Sequence, residues 1–285
     1  MEYRPFGSTG DSLSIVGLGG VVFAGMTQTD SNNIVSEAID NGINYFDVAP
    51  SYGREQETEI KLGEALAPYR SKSFLACKTT CRDAVSAREE LERSLRYLRT
   101  DHFDLYQLHA ISSIEDVDKC FGPGGAMEAV LAARNEGKVR WIGFSAHSAE
   151  AALKALDLFE FQSVLFPVNF VTWCQGLFGP QIMERARQRG AARLALKAMA
   201  RTHWAEGAER NYPNCWYEPL SDPRLAELAL RYTLSMDVTA AVPPGDPRLF
   251  RLAMQFANRF TPITADETRE LMELAVDLKP IFQAA

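Results

Sequence analysis

Short apolar runs alternate along the chain with longer stretches in which apolar residues return every three or four positions, the rhythm of strands followed by helices. Residues 2–14 read as two short strands around Gly7-Ser8-Thr9-Gly10-Asp11, a hairpin with enough glycine to turn and hence a small lid or plug. Ile15-Val16-Gly17-Leu18-Gly19-Gly20 reads as a buried strand entering a Gly-rich loop, too short in its Gly-x-Gly-Gly for a dinucleotide fingerprint. Thr29 or Asp30 caps a helix through Asn41, with Ile34, Val35, Ala38 and Ile39 on one face. Strands at 43–48, 73–78, 103–109, 139–145, 162–169, 193–197 and 238–242 then alternate with helices at 58–68, 84–98, 125–136, 149–158, 178–189 and 222–235. Eight strands counted from residue 15, with helices between, predict a closed (β/α)8 TIM barrel spanning 1–285 as one domain, in preference to an open doubly wound sheet. Helices near 247–258 and 266–277 include one more than the barrel requires. Residues 200–220 read as the longest irregular stretch, and its Trp204, Tyr212, Trp216 and Tyr217 mark it as a functional loop.

Composition narrows the class. With 285 residues and 46% hydrophobic content the chain builds a substantial core, which excludes disorder and a small stapled fold. A net charge of −7 without a compensating basic run argues against nucleic acid and acidic membrane surfaces, so any anionic ligand must be held by local groups. Cys77, Cys81, Cys120, Cys174 and Cys215 are odd in number and scattered, and match no zinc spacing. They read as reduced thiols in a cytoplasmic protein. The polar N-terminus and the lack of a long apolar run predict a soluble, unsecreted chain. The expected partner is a small molecule, and the expected assembly a monomer or small homo-oligomer, although no residue pattern fixes the oligomeric state.

Chemistry enters at the strand ends. Asp47 closes the run Ile43-Asn44-Tyr45-Phe46, and Tyr52 follows in the turn Ala49-Pro50-Ser51-Tyr52-Gly53. Lys78 ends Ser73-Phe74-Leu75-Ala76-Cys77, and His109 ends the strand that begins at His102. Parallel α/β barrels place their active sites at this carboxyl edge. The bland reading is that Asp47 caps a helix or pairs with Lys78 to close the barrel mouth, while Tyr52 and His109 merely fill space. The sharper one joins all four. A lysine ammonium lowers the pKa of a neighbouring tyrosine, a carboxylate holds that lysine charged, and the histidine fixes a carbonyl that receives the tyrosine's proton.

These residues lie in motifs that resemble the aldo-keto reductase family: Asp47-x-Ala49-x-x-Tyr52-Gly53, Glu59-x-x-Leu62-Gly63, the strand-end Lys78, Asp104-Leu105-Tyr106-Gln107-Leu108-His109, and 137–145 ending in Phe144-Ser145. The likeness runs in order from residue 1 to about 260. It implies a tetrad of Asp47, Tyr52, Lys78 and His109, with Tyr52 as general acid for aldehyde or ketone reduction and NADPH as hydride donor. It also implies a cofactor seat made by Ser145, Leu196, Lys197, Met199, Gly245 and Gln255, with Lys197 and Met199 at the pyrophosphate.

The chain departs from the family around that seat. Ala146 and His147 follow Ser145 where an asparagine is usual, and Pro167 falls where a glutamine is expected, so Asn169 or His147 is expected to hold the carboxamide. Leu196 replaces the aromatic ring under the nicotinamide. Arg248 and Arg251 share one face in the first turn of the helix that Asp246 and Pro247 start, and are expected to receive the adenosine 2′-phosphate. Phe23, Trp173, Trp204 and Trp216 are expected to line an apolar substrate pocket. A second implication stays open: members of this fold such as the β subunits of voltage-gated potassium channels bind the nicotinamide and act mainly as regulatory or sensor partners. A barrel that has lost the cofactor is a third.

Overall fold

The computed structural model describes residues 1–284. β1 (Tyr3–Pro5) and β2 (Ser12–Ser14) form the expected hairpin, with Arg4 opposite Leu13. Gly7 in its turn adopts φ +56, and a Cβ there would come within 2.7 Å of the Gly190 carbonyl oxygen, so the position needs glycine. Phe6 and Leu13 enter the inner core, Phe6 lying 4.9 Å from the Phe74 ring where that strand begins. The hairpin is a plug at the floor of the barrel, away from the strand ends that carry the candidate chemistry.

The strands that follow are β3 (Leu18–Gly19), β4 (Tyr45–Asp47), β5 (Phe74–Thr79), β6 (Phe103–Ile111), β7 (Val139–Ala146), β8 (Ser163–Pro167), β9 (Ala192–Leu196), β10 (Ala200–His203), β11 (Tyr217–Pro219) and β12 (Ala240–Val242). β3 to β9 and β12 form one eight-stranded sheet in chain order, with every pair parallel. The ring closes where Val16 bridges Ala241; the Gly17 N–H donates to Ala241 at 3.0 Å and the Ala241 N–H to Ile15 at 2.8 Å. Side chains alternate along each strand: Tyr45, Leu105, Leu165 and Leu194 fill the barrel, while Phe46, Tyr106 and Val164 pack outward against the helices.

The helices are α1 (Gln28–Asp40), α2 (Glu57–Leu66), α3 (Ala84–Tyr97), α4 (Ile114–Phe121), α5 (Ala126–Asn135), α6 (Ala149–Leu158), α7 (Phe170–Cys174), α8 (Pro180–Gln188), α9 (Pro223–Leu234), α10 (Pro247–Asn258) and α11 (Ala265–Ala275). The last of these is the extra C-terminal helix, packed on α7 and α9. Thr27, two residues before the expected position, caps α1 by accepting the Asp30 N–H at 3.1 Å. Two helices and a hairpin exceed the expected set. α4 is announced by Ser113-x-x-Asp116, with the Ser113 hydroxyl accepting the Asp116 N–H at 3.2 Å, a local start signal with too short an apolar repeat behind it to predict the helix. α7 is a short turn capped by Asn169. Residues 200–220 are bounded by the antiparallel pair β10–β11, so the stretch is a hairpin with a long tip.

Candidate active site

Asp47 is the last residue of β4 and Lys78 lies near the end of β5, so adjacent parallel strands bring them together as a buried ion pair. The other Asp47 oxygen accepts the Tyr45 hydroxyl at 3.1 Å and the Gln107 side-chain N–H at 3.0 Å. Lys78 Nζ also lies 3.3 Å from the Val48 carbonyl and 3.1 Å from the Tyr52 hydroxyl oxygen. Three N–H donors therefore meet three acceptors. Because Tyr52 accepts from Lys78, its own O–H is left to point into the cavity. The His109 ring stands edge-on to Tyr52 with centroids 5.7 Å apart, and its Nδ1 is 3.4 Å from the Ser51 hydroxyl.

The electrostatics differ from the expectation at one group. Burial of Tyr52 pushes its hydroxyl pKa up; Lys78 opposes this, Asp47 adds to it, and the net direction is upward. The carboxylate that fixes the lysine therefore cancels part of the lysine's help. Burial alone would lower Lys78, but Asp47 and Tyr52 together outweigh it and hold the side chain as an ammonium. His109 is pushed well below its usual range by burial and by the Lys78 charge, so it is a neutral imidazole with one N–H to donate.

A cavity of about 240 Å³ opens on this group. Of the residues singled out from the sequence, it brings together Asp47, Tyr52, Lys78, His109, Ser145, Leu196, Lys197, Trp216 and Gly245. Ser145 accepts the Ala110 N–H at 2.7 Å and so steadies the end of β6, where Ala110 adopts φ 53. His147 also lines the cavity, its ring 4.8 Å from that of Phe282, whereas Asn169 does not: it is buried and caps α7 through the Thr172 N–H at 2.9 Å. Met199 is fully buried and Gln255 is exposed on α10, and neither lines the cavity.

The two arginines are neither free nor on the cavity wall. Arg248 donates to both oxygens of Asp246, each at 2.9 Å, with its guanidinium 4.5 Å from the centre of the Tyr212 ring, and Arg251 pairs with Glu37 at 2.7 Å. Phe23 is buried in the short turn at Gly20–Phe23, Trp173 is half-buried against the core beside Gly179, and Trp204 donates its indole N–H to the Cys215 carbonyl at 2.8 Å. These three rings anchor loops and do not line the cavity; Trp216 does. Asn214, Cys215 and Tyr217 join it there, delivered by the β10–β11 hairpin. The aromatic content of 200–220 was the only sequence signal for them, and it could not tell which ring turns inward. All five cysteines are free thiols. Among the described residues, no helix is long and apolar enough to cross a membrane.

A closed parallel barrel with Asp, Tyr, Lys and His at its carboxyl edge around one cavity defines the class. The sequence matches the Aldo/keto reductase family over residues 15–215, and the chain belongs to that family. It is 35% identical over 167 residues to the aldo-keto reductase YhdN of Bacillus subtilis, a match covering 53% of this chain and 48% of YhdN. It thus spans about half the length of that relative. The uncharacterized oxidoreductase YqkF of the same organism is 27% identical over 288 residues, covering 90% of this chain and 92% of YqkF. The holo form of aldo-keto reductase AKR11C1 from Bacillus halodurans superimposes with a TM-score of 0.74 at 25% identity, over 96% of each chain.

Proposed function

We propose that the protein reduces aldehyde or ketone carbonyls to alcohols with NADPH, using Tyr52 as the general acid. The observation that carries this reading is the hydrogen-bond order Asp47, Lys78, Tyr52. It leaves the tyrosine proton as the one that faces the cavity, on an oxygen 3.1 Å from an ammonium ready to stabilise the tyrosinate. A nicotinamide nucleotide suits the residues beside this group: Leu196 offers a flat apolar contact, Ser145 retains its hydroxyl proton, and Gly245 lies just before the N-terminus of α10. When bound, it supplies the hydride. The protein's part is to hold the carbonyl oxygen with the neutral His109 N–H, to pass the Tyr52 proton to that oxygen, and to screen the resulting tyrosinate with Lys78. Burial raises the tyrosine pKa in the absence of substrate, so the proton stays on Tyr52 until negative charge develops on the oxygen beside it.

The test is oxidation of NADPH with a panel of aromatic and aliphatic aldehydes, run beside quenching of tryptophan fluorescence by NADPH. Turnover supports the reading. Quenching without turnover of any aldehyde favours a nicotinamide-binding regulatory or sensor protein on the same fold, and the absence of both overturns the cofactor assignment.

A further inference from the structure

The cavity holds more positive charge than proton transfer at Tyr52 uses. Asp47 is the one carboxylate among the described residues that line it, and Asp47 is committed to Lys78. Lys197 follows β9 with φ 67, a left-handed conformation unusual for a residue with a side chain. Its ammonium lies 5.3 Å from the Trp216 ring centre and 5.0 Å from that of Tyr217. Those rings favour a cation at their faces but offer it no acceptor, and none of the ion pairs among the described residues includes Lys197. Other cations without an ion-pair partner, such as Arg54, Lys119 and Arg210, are solvent-exposed, whereas Lys197 is not. A partly desolvated ammonium kept without a counter-ion, in a protein of net charge −7, is a seat for an anion that arrives from outside.

The other titratable groups facing Lys197 supply no such anion. Burial pushes the Cys215 thiol up to about 11, so it is uncharged at neutral pH. His147, lowered to about 4, and His109 are both neutral imidazoles. Lys197 itself is brought down by burial to about 8 and stays protonated at neutral pH. Its charge is felt at the carbonyl end of the cavity, since it contributes to the lowering of both histidines.

We propose that Lys197 receives a carboxylate of the substrate, so that the preferred carbonyl compounds are acids whose charged group lies a short distance from the aldehyde or ketone. This rests on the reading of Tyr52 as proton donor to a carbonyl. It replaces the apolar pocket expected from the sequence with a mixed one, in which Trp216 and Tyr217 flank the acid's receptor.

The experiment compares 4-carboxybenzaldehyde with its methyl ester as substrates of the wild type, Lys197→Met and Lys197→Arg. Wild type should favour the acid by about 10 to 100-fold in kcat/KM, the worth of one charge-assisted contact. Lys197→Met should bring the two substrates to within about threefold, and Lys197→Arg should keep part of the preference. The family resemblance places Lys197 in the cofactor seat as well, so the NADPH dissociation constant is read by fluorescence in parallel and the acid-to-ester ratio is taken at saturating NADPH. Calorimetric binding of 4-(hydroxymethyl)benzoate against its methyl ester gives the same comparison without turnover. An acid preference in binding that is lost in Lys197→Met, with no aldehyde reduced, keeps the Lys197 site and removes the reductase reading. Equal use of acid and ester by wild type overturns the site and leaves the reductase reading intact, whatever the variants do. Loss of NADPH affinity in Lys197→Met, with acid and ester turnover falling together, assigns Lys197 to the cofactor's diphosphate and also overturns the proposal.

Discussion

The two ends of the barrel carry ionisable clusters of opposite character. At the floor, Asp104 takes Arg70 at 2.9 Å and Arg140 at 2.7 Å, while Asp11 takes Arg140 at 3.2 Å and the Trp141 indole N–H at 2.7 Å. Two carboxylates there face two guanidiniums, and Asp104 also accepts the Leu75 N–H at 2.9 Å. At the strand ends, Lys78 and Lys197 share a cavity with Asp47 alone. The buried and half-buried ions of the floor are all paired with one another or tied to backbone, as folding requires, and the cation beside them without an acid, Lys72, is solvent-exposed. At the mouth the cation without an acid is Lys197, which is not exposed. Where the unpaired ion sits thus distinguishes the two clusters more sharply than the burial of their acids does, since Asp104 and Asp47 are both buried.

The largest effect expected is at the mouth. Tyr52→Phe removes the proposed proton donor and should lower kcat for an aldehyde by about 10² to 10⁴-fold with little change in NADPH affinity. Retention of more than about a tenth of wild-type kcat would remove Tyr52 from the chemistry. The counterpart at the floor is Asp104→Ala, which leaves Arg70 and Arg140 without their shared acid and the Leu75 N–H without its acceptor. Urea denaturation should show a loss on the order of 3 kcal/mol, with kcat nearly unchanged in the folded fraction. A variant that lost activity in proportion to stability would mean that the two clusters are coupled through the strands, and the contrast between them would fail.

What the sequence made legible follows the same division. Asp47, Lys78 and His109 each end an apolar strand pattern, so a one-dimensional reading could place them on one edge, and the spacing to Tyr52 completed the set. Barrel count and order were legible for the same reason: every strand is a local run. Residues whose role depends on long-range pairing were not. Trp216 faces the cavity because β11 pairs with β10 in an antiparallel register that sets His203 opposite Tyr217, and nothing local to Phe23, Trp173 or Trp204 says that they point elsewhere. The two arginines divide likewise. Asp246 is two residues from Arg248, so their pairing could have been read from the sequence, whereas Arg251 finds Glu37 across the fold. The upward direction of the Tyr52 pKa needed the burial of the site, which spacing does not give.

Those pairings lower the expected discrimination between cofactors. An arginine that already binds a carboxylate must share its N–H groups with an incoming phosphate, so the preference for NADPH over NADH should be about tenfold, the low end for a charged hydrogen bond. Arg248→Ala should reduce it more than Arg251→Ala, because Arg248 sits beside the helix start and Arg251 a turn further on. Ratios of kcat/KM for the two cofactors decide the matter. A preference untouched by both substitutions would move the 2′-phosphate away from this helix.

The smallest effect is on acid stability, and it comes from the desolvation of the histidines that line the mouth. His147 is held at about 4 and His109 well below its ordinary value, whereas an unfolded histidine titrates near about 6.5. Between those limits the unfolded chain binds protons that the folded chain refuses, so stability rises with pH and is lost as the pH falls from about 6.5 toward 4. Carboxylates held low, such as Asp116 and Glu267 at about 2, act in a separate window, because their contribution is lost only as the pH falls below the unfolded carboxylate range. Glu59 works the other way: burial raises its pKa, so the folded state takes that proton first and gains stability as the pH falls through this value. The melting temperature should therefore decline gently from pH 6.5 to 4 and more steeply below. His147→Gln should flatten the gentle part and leave the steep part alone. A wild-type melting temperature constant over the upper window, or a slope unchanged in His147→Gln, would mean that His147 protonates as freely in the fold as out of it, and that water reaches the mouth of the barrel far better than the packing of His147 against Phe282 implies.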